Sequence, residues 1–224
     1  MHTAAMVTYR GARVMIDCGE TWLGELDDLS PDAVVVTHAH PDHVAGLMEG
    51  CDRPVHTHDD AWRTIGAFPI PKKHRRRLHP RRPKRIEGIR FEAFQVVHST
   101  RAPAVGYRIT AGRRSVFYAP DLVAIHDRSA ALGGVDLYVG DGATITRSMV
   151  QRDEETGEPI GHTTIRAQLG WCRDEGVPRM IVTHCGSDIV GGDERKAIRE
   201  IRALAKERSV EVEVAHDGME IVLR

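Results

Sequence analysis

Four side chains that can bind a metal ion fall within six residues, directly after a short apolar run. Residues 33–36 are continuously apolar, which predicts a strand buried on both faces of a sheet. His38, His40, Asp42 and His43 follow it. Imidazole and carboxylate ligands together suit Zn²⁺, Mn²⁺ or iron. A surface loop rich in histidine is the plain alternative, and the position after a buried strand counts against it. The stretch therefore predicts a metal site at the end of a strand.

Three further side chains of the same kind follow other predicted strands. His98, Asp121 and His184 each come one or two residues after an apolar run that predicts a strand. One such residue alone is an ordinary polar end of a strand. Three of them, together with the first cluster, indicate that several strand ends contribute ligands to one site.

With these residues in this order, the sequence resembles the metallo-β-lactamase superfamily. The resemblance covers nearly the whole chain, from Ile16-Asp-Cys-Gly19 to Ala215-His-Asp-Gly218. It implies an α/β fold, a four-layer αββα sandwich of two mixed β-sheets with the metal site at one edge. It also implies seven ligands: His38, His40 and His98 for a first ion, Asp42, His43 and His184 for a second, and Asp121 as the bridge between them.

The ligand set implies hydrolytic chemistry. Two divalent ions roughly 3.5–4 Å apart lower the pKa of a shared water toward ~7, so that a metal-bound hydroxide is present at neutral pH. The same ions stabilise charge that develops on the substrate's oxygens. We expect two divalent ions, with zinc as the first choice and manganese or iron as alternatives. Members of the superfamily cleave lactams, thioesters, lactones and phosphodiesters, so the fold does not settle the substrate.

A second motif indicates which bond is cleaved. Asp141 ends an apolar run, and Gly161-His162-Thr163-Thr164 follows later. The two resemble the branch that contains ribonuclease Z and the phosphoribosyl cyclic phosphodiesterases, with Asp141 where ribonuclease Z has Glu. The resemblance implies that His162 protonates the leaving oxygen and that Asp141 orients its ring. A helix N-cap built on threonine is the alternative. We assign catalytic roles to His162, Asp141 and Asp42.

These motifs predict a phosphodiesterase that acts on a nucleic-acid or nucleotide-like substrate. A leaving alkoxide needs protonation more than a leaving thiolate does, which favours a phosphodiester over a thioester. Hydrolysis of a small ester, lactone or thioester at the same metal site is the main alternative. A binding protein with a vestigial site is a third, and the complete ligand set counts against it.

A strongly basic segment lies between two of the ligand motifs. Residues 72–85 carry nine Lys/Arg and no acidic residue, whereas the rest of the chain carries 22 Lys/Arg against 32 Asp/Glu. Such a segment suits a nucleic-acid backbone, and we assign phosphate contacts to Arg75, Arg76 and Arg77. A solvated loop that pairs with the acidic body of the molecule, or of a homodimer partner, is the alternative. The segment has no Phe, Tyr or Trp to stack a base, so base-specific recognition by it is not expected.

The 224-residue chain suits one globular domain. Strands in every third of the chain predict a single layered domain over residues 1–224, with a basic insertion at residues 69–86. Helices are expected over residues 163–175 and 193–207.

The remaining patterns concern loops, membranes and compartment. A loop is expected at residues 152–159 and a last strand at residues 219–223. No apolar run approaches the ~20 residues that span a bilayer, and the first residues do not resemble a signal peptide. The four scattered cysteines suit a reduced compartment. We therefore expect a cytoplasmic protein with no membrane partner.

Overall fold

Two β-sheets that pack face to face form the centre of the molecule, and helices cover their outer faces. The computed structural model describes residues 2–224. Both sheets are mixed, and the layers run helix, sheet, sheet, helix. The α/β sandwich predicted from the sequence is therefore confirmed.

The first sheet has five strands in the order of the chain. β1 and β2 form an antiparallel hairpin, and β2, β3, β4 and β5 then run parallel to one another. The parallel strands are buried and apolar in the middle of the sheet because helices cover its outer face. The bounds are β1 Ala5–Tyr9, β2 Ala12–Ile16, β3 Ala33–Val35, β4 Val55–Thr57 and β5 Arg75–Arg77.

The second sheet has eight strands. Its order is β10-β7-β8-β9-β11-β14-β15, and β6 also pairs with β7. β7, β8 and β9 are antiparallel neighbours, whereas β9, β11, β14 and β15 run parallel. The bounds are β6 Lys84–Ile86, β7 Ile89–Val97, β8 Ala104–Ala111, β9 Arg114–Ala119, β10 Ala124–Ile125, β11 Leu137–Asp141, β14 Arg179–Thr183 and β15 Glu211–Val214.

A separate two-stranded hairpin and the helices complete the fold. The hairpin strands are β12 Met149–Arg152 and β13 Pro159–His162. The helices are α1 Leu26–Leu29, α2 Pro41–Val44, α3 Asp59–Ile65, α4 Arg128–Leu132, α5 Ile165–Glu175 and α6 Glu194–Lys206, with 3₁₀ turns at Glu20–Trp22, Ala45–Leu47 and Lys72–His74.

Three apolar clusters hold the layers together. One lies between the sheets and includes Ile16, Phe91 and Tyr107. A second packs α2 and α3 against the outer face of the first sheet. The third packs α5 and α6 against the second sheet through residues such as Leu169 and Ile201. Burial of the apolar surface in these three clusters is the main contribution to the stability of such a sandwich.

One expectation about the elements is wrong. Residues 219–223 form no strand, because the chain passes the edge strand β15 in a turn at residues 216–219 and Val222 remains 75% exposed. The loop expected at residues 152–159 is confirmed, and it connects the two strands of the β12–β13 hairpin. The helices α5 and α6 are confirmed, and within residues 2–224 no helix is long and apolar enough to cross a membrane.

Candidate metal centre

The metal-competent side chains lie together at one edge of the sandwich, where parallel strands of both sheets end. β3 leads into the loop that carries His38, and β7 leads into His98. β9 leads into Asp121, and β14 leads into His184. Strand ends of both sheets thus meet at this edge. Ligand sites of α/β sheets commonly form outside the carboxyl ends of the strands.

The loop after β3 turns sharply, so that its side chains face one centre. His40 precedes α2, and Pro41 begins that helix, where no backbone N–H is needed. The single turn of α2 then presents Asp42 and His43. Gly19 allows this turn to approach β2 closely, since a Cβ at Gly19 would lie 2.0 Å from the carbonyl oxygen of Asp42. Only glycine permits that contact.

A first group of ligand atoms comes from three histidines and one aspartate. His38 Nε2 lies 3.0 Å from His40 Nδ1, and His98 Nε2 lies 3.2 Å from the same atom. Asp121 Oδ2 lies 3.5 Å from His38 Nε2 and 3.3 Å from His98 Nε2. All four ligand atoms fall within 4.8 Å of one another.

A second group shares Asp121 with the first. His43 Nε2 lies 3.4 Å from Asp42 Oδ2 and 3.4 Å from Asp121 Oδ2. His184 Nε2 lies 3.2 Å from Asp42 Oδ2, and its Nδ1 lies 3.0 Å from Asp121 Oδ1. The structure therefore brings together the seven predicted ligands in two groups joined by Asp121.

The hydrogen bonding of these residues fits a metal site. His43 Nε2, Asp121 Oδ1 and His184 Nδ1 are buried and make no hydrogen bond of acceptable geometry within the described chain, although the last two atoms lie 3.0 Å apart. Buried polar atoms rarely remain unpaired, because each loses its water without compensation. Here the orphaned atoms face the same centre as the other ligand atoms, which is the arrangement that a divalent cation satisfies.

The protonation states of the first three histidines and of the carboxylates agree with that arrangement. The pKa values of His43 and His184 are instead raised, because neighbouring carboxylates outweigh the effect of burial. Burial lowers the pKa of His38, His40 and His98 below the ordinary value of histidine, so these rings stay neutral and keep a lone pair for a cation. Burial opposes ionisation of Asp42 and Asp121, but the neighbouring histidines outweigh it and lower the pKa of both carboxyls. Both carboxylates are therefore ionised and available as ligands.

Asp17 orients the second group, and the sequence analysis missed this role. The fully buried Asp17 carboxylate lies 2.9 Å from His43 Nδ1 and accepts hydrogen bonds from the backbone N–H and hydroxyl of Thr37. A carboxylate on the far nitrogen of a ligand histidine fixes its tautomer and makes it a stronger ligand. Asp17 adopts a φ of +59°, which turns its side chain from β2 toward β3. The Asp-Cys-Gly19 motif was the available signal.

His162 and Asp141 form a pair beside the metal centre. His162 Nδ1 lies 2.8 Å from Asp141 Oδ2. The ring of His162 stacks on His184 at 5.7 Å between centroids and meets the edge of His98 at 5.2 Å. Burial lowers the pKa of His162, but the hydrogen bond and charge of Asp141 outweigh it, and the net pKa is raised. His162 thus faces the metal centre, and its raised pKa favours the protonated ring.

Asp141 is itself held rigidly. Its carboxylate is fully buried and accepts backbone N–H groups of Leu122 and Ala143. Gln168 on α5 holds the backbone of Asp141 from both sides, donating to its carbonyl and accepting from its N–H. The N-cap of α5 is Thr164, whose hydroxyl accepts from the N–H of Ala167 at 3.0 Å. The motif therefore serves as a helix cap through Thr164, while His162 remains free to face the site.

The β12–β13 hairpin brings His162 to the metal centre. The N–H of Gly161 donates to the carbonyl of His98, and His98 Nδ1 lies 3.1 Å from the carbonyl of Gly161. Gly161 has a φ of +105°, and a Cβ there would lie 2.2 Å from the carbonyl oxygen of Met149. At the far end, Thr100 donates a 2.7 Å hydrogen bond to Asp153. The hairpin is thus fastened at both ends to the loop that follows β7.

The basic segment contributes an edge strand to each sheet, β5 to the first and β6 to the second. Arg75 is unsuited to the predicted phosphate contact, because its guanidinium donates to the carbonyls of Phe68 and Ile70 and lies over the Trp62 ring. Arg77 pairs with Asp59 at 3.1 Å and remains largely exposed. Arg76 is exposed as well. The charges also protect the open edge of the first sheet, a common device against edge-to-edge pairing.

Comparison with known proteins identifies the family. The beta-lactamase superfamily domain matches residues 12–185, which is most of the chain. The chain therefore belongs to the metallo-β-lactamase superfamily, a group of metal-dependent hydrolases, as its motifs predict. A search of curated protein sequences finds no match.

Solved structures with the same fold carry different activities. A diphosphatase of the PhnP family is 21% identical with a TM-score of 0.71, covering 98% of this chain and 82% of its own. An isothiocyanate hydrolase from Delia radicum gut bacteria is 16% identical with a TM-score of 0.72, covering 99% and 97%. The short form of human tRNase Z is 18% identical with a TM-score of 0.64, covering 100% and 93%. At these identities the likeness shows the fold alone.

Proposed function

We propose that this member of the metallo-β-lactamase superfamily is a dinuclear metal-dependent phosphodiesterase that acts on a nucleic-acid or nucleotide-like substrate. The observation that carries the proposal is the pair of His162 and Asp141, placed with a raised histidine pKa against the ligand rings of His98 and His184. The diphosphatase and tRNase Z neighbours act on phosphate compounds by name, which supports the same direction.

The proposed metal ligands are the two groups joined by Asp121. Zinc is our first choice, because imidazole and carboxylate form its common catalytic ligand sets, and manganese or iron fit the same donors. Divalent ions bound there supply Lewis acidity and activation of water. The chain's own part is to hold the ligands in place, chiefly through Asp17 on His43, and to present Asp42 and Asp121 as carboxylates.

His162 supplies the proton that the leaving oxygen needs. Its Nδ1–H is directed at Asp141 Oδ2, so its second proton sits on Nε2, away from Asp141. Asp141 stabilises the charged ring and holds its orientation, as a carboxylate does for a histidine acid in other hydrolases. An alkoxide is a poor leaving group, so a phosphodiester gains most from such a donor.

The test replaces His162 and compares two leaving groups. Phosphodiesters of phenol and of 4-nitrophenol differ in how much the leaving oxygen needs a proton. His162→Ala should lower kcat for the phenyl ester by about 10²–10⁴-fold and lower it clearly less for the 4-nitrophenyl ester. Metal content, measured by elemental analysis, should stay at the wild-type level. The matched control is His126→Ala, which removes an exposed histidine and should leave both rates unchanged.

Equal losses for both esters would show that His162 has a structural role only. Wild-type rates in His162→Ala would remove His162 from the mechanism. Faster hydrolysis of thioesters or lactones than of any phosphodiester would favour the alternative function, a hydrolase of small esters.

We further propose that the basic segment assists binding of a nucleic acid through Arg76 and Arg77. Both side chains are exposed. They lie on β5, which pairs with β4 on the side away from β3 and the metal centre. Arg76→Glu with Arg77→Glu should weaken binding of a short RNA and flatten its dependence on salt concentration. Unchanged affinity and salt dependence would show that the segment does not bind nucleic acid and only protects a sheet edge.

A further inference from the structure

A cavity of about 200 Å³ lies beside the metal centre, at the same edge of the sandwich. The ends of β4 and β5 form one side of it, and the start of β8 forms the other. His58 Nε2 donates to the carbonyl of Thr37, and the N–H of Val105 donates to the same oxygen. The cavity wall is therefore one residue away from His38, although no proposed metal ligand or catalytic residue lines it.

The polar atoms around the cavity are rich in hydrogen-bond acceptors. Since His58 gives its Nε2 proton to a carbonyl, its Nδ1 carries a lone pair in the neutral ring. Burial lowers the pKa of His58, which keeps that ring neutral. Nδ1 lies 3.8 Å from Asp60 Oδ2, too far for a hydrogen bond. The other polar residues of the lining are Asp59, Asp60, His79 and Gln95. Asp59 also pairs with Arg77 at 3.1 Å, and Asp60 pairs with Arg63 at 2.7 Å.

The remaining residues of the lining are apolar. Leu78 and Ala104 are buried, and Pro80 and Pro103 add two rigid rings. Apolar walls with a few polar atoms are typical of small-molecule sites, and the volume is below the range of sites that hold a whole drug-sized ligand. The cavity therefore suits one flat ring system whose edge carries hydrogen-bond donors.

We infer that this cavity is a specificity subsite for a nucleobase with an exocyclic amino group, and that His58 Nδ1 accepts a hydrogen bond from that amine. The inference rests on the proposed function, since the phosphate of the same nucleotide would lie at the metal centre. β4 is the immediate neighbour of β3, and adjacent strands are ~4.8 Å apart. In this inference the phosphate and the base of one nucleotide occupy adjacent sites, at the ends of β3 and β4.

The test uses two substrates that differ in one amino group. These are the 4-nitrophenyl esters of adenosine 5′-phosphate and of purine riboside 5′-phosphate, which has the same ring without the amine. The wild-type protein, loaded with zinc, should show a kcat/KM about tenfold higher for the adenosine ester, because one hydrogen bond is worth about that factor. The difference should lie mainly in KM.

Two variants and one control locate the preference. Gln95→Trp fills the cavity from an exposed position on β7 and leaves the bond of His58 to Thr37 in place. His58→Phe removes the acceptor itself. Both should bring the ratio of the two kcat/KM values close to one. Arg113→Ala, in the exposed turn at the opposite edge, should retain the wild-type ratio. A general loss of structure changes both rates and not their ratio, so it does not mimic the expected result.

Binding measured without turnover separates this inference from the proposed function. By calorimetry, adenosine 5′-monophosphate should bind more tightly than purine riboside 5′-monophosphate, and Gln95→Trp should abolish the difference. If no phosphodiester is hydrolysed but this difference appears, the subsite stands and the phosphodiesterase proposal fails. If both esters are hydrolysed equally and Gln95→Trp changes nothing, the subsite is overturned and the phosphodiesterase proposal stands.

Discussion

Asp121 is the residue on which the arrangement of the metal centre depends most. Its Oδ2 lies 3.5 Å or less from the Nε2 atoms of His38, His43 and His98, and its Oδ1 faces His184. One buried carboxylate among four imidazoles neutralises only part of the charge that cations would bring, and Asp42 supplies a second. The two carboxylates would offset part of the charge of the two cations that we propose.

His56 makes the stability of the protein depend on pH. It is 6% exposed on β4, and burial lowers its pKa to about 4, with Lys84 and Arg76 adding to the effect. In the unfolded chain this histidine has its ordinary pKa of 6.5. Between pH 6.5 and 4, His56 is therefore protonated in the unfolded chain and neutral in the folded chain. Stability should therefore fall as pH drops through this window, by up to ~1.4 kcal/mol per pH unit from His56 alone.

Urea denaturation between pH 4.5 and 7.5, with a chelator present, measures this slope. His56→Gln should show a flatter dependence than the wild-type protein, because glutamine does not titrate. His126→Gln, at an exposed position, should follow the wild-type curve. Parallel curves for His56→Gln and the wild-type protein would contradict the assignment.

At the scale of single residues, the sequence locates the candidate ligands that the structure brings together, but not the residues that support them. The candidates lie in the loops or the short helix that follow strands, so their places can be read from local patterns. Asp17 supports His43 from the end of β2 through a positive φ, and the Asp-Cys-Gly19 motif does not show which side chain it contacts. His56 and His58 lie outside the predicted ligand set. Both prove to be buried, and His58 also lines the cavity beside the metal centre.

At the scale of elements, the β12–β13 hairpin positions the proposed acid. It is fastened by the backbone of Gly161 to His98 and by Thr100 to Asp153, whose pKa this hydrogen bond helps to lower to about 2. Thr100→Val removes the second fastening and keeps the side-chain shape. Backbone amides of residues 149–161 should then exchange with solvent faster, and kcat should fall several-fold because His162 is held less firmly.

Thr110→Val is the matched control. Thr110 lies at the far end of β8, and its side chain hydrogen-bonds only to Ser115 among the described residues. It should change neither the exchange of the hairpin nor kcat. Unchanged exchange in Thr100→Val would show that the hairpin does not depend on this hydrogen bond. Hydrogen exchange followed by mass spectrometry resolves the segment.

The β12–β13 hairpin and the edge strands show why some elements could not be predicted from the sequence. β12 and β13 are exposed or half-buried along their length, so no alternation of apolar and polar residues marks them. β5 consists of three arginines. It is a strand because it lies beside β4 and pairs with it, and not because arginine has a strong propensity for strands. Residues 219–223 have a strand-like composition, yet β15 already ends that side of the sheet.

At the scale of the whole molecule, the proposed ligands tie the two sheets together. His38 follows a strand of the first sheet, whereas His98, Asp121 and His184 follow strands of the second. Bound metal therefore stabilises the folded sandwich and not the unfolded chain. Zinc at 1,000 times its dissociation constant should add about 4 kcal/mol. Tm should then fall by about 10 °C on chelation, a shift that calorimetry measures.

Asp121→Ala should show a much smaller shift between the metal-loaded and chelated protein, because it removes the carboxylate common to both groups. His126→Ala should show the wild-type shift. Equal Tm values for the wild-type protein with and without zinc would contradict a metal site that spans both sheets.

A layered domain follows from the sequence, because strands with apolar patterns recur along the chain, whereas the sandwich is implied by the resemblance that the ligand motifs carry. The placement of the cavity beside the metal centre does not follow from the sequence, since it depends on β4, β5 and β8 meeting across the two sheets. Such a meeting of distant segments is set by packing rather than by any local motif.

The most direct test of the central claim is a substrate panel run on one metal-loaded preparation with its metal content measured. The panel contains bis(4-nitrophenyl) phosphate, a 4-nitrophenyl ester, a lactone and a thioester, each with zinc, manganese and iron. The account predicts two ions per chain and the highest kcat/KM for the phosphodiester, lost on chelation and restored by metal. A higher kcat/KM for the ester, lactone or thioester, or at most one ion per chain with all ligands intact, would contradict it.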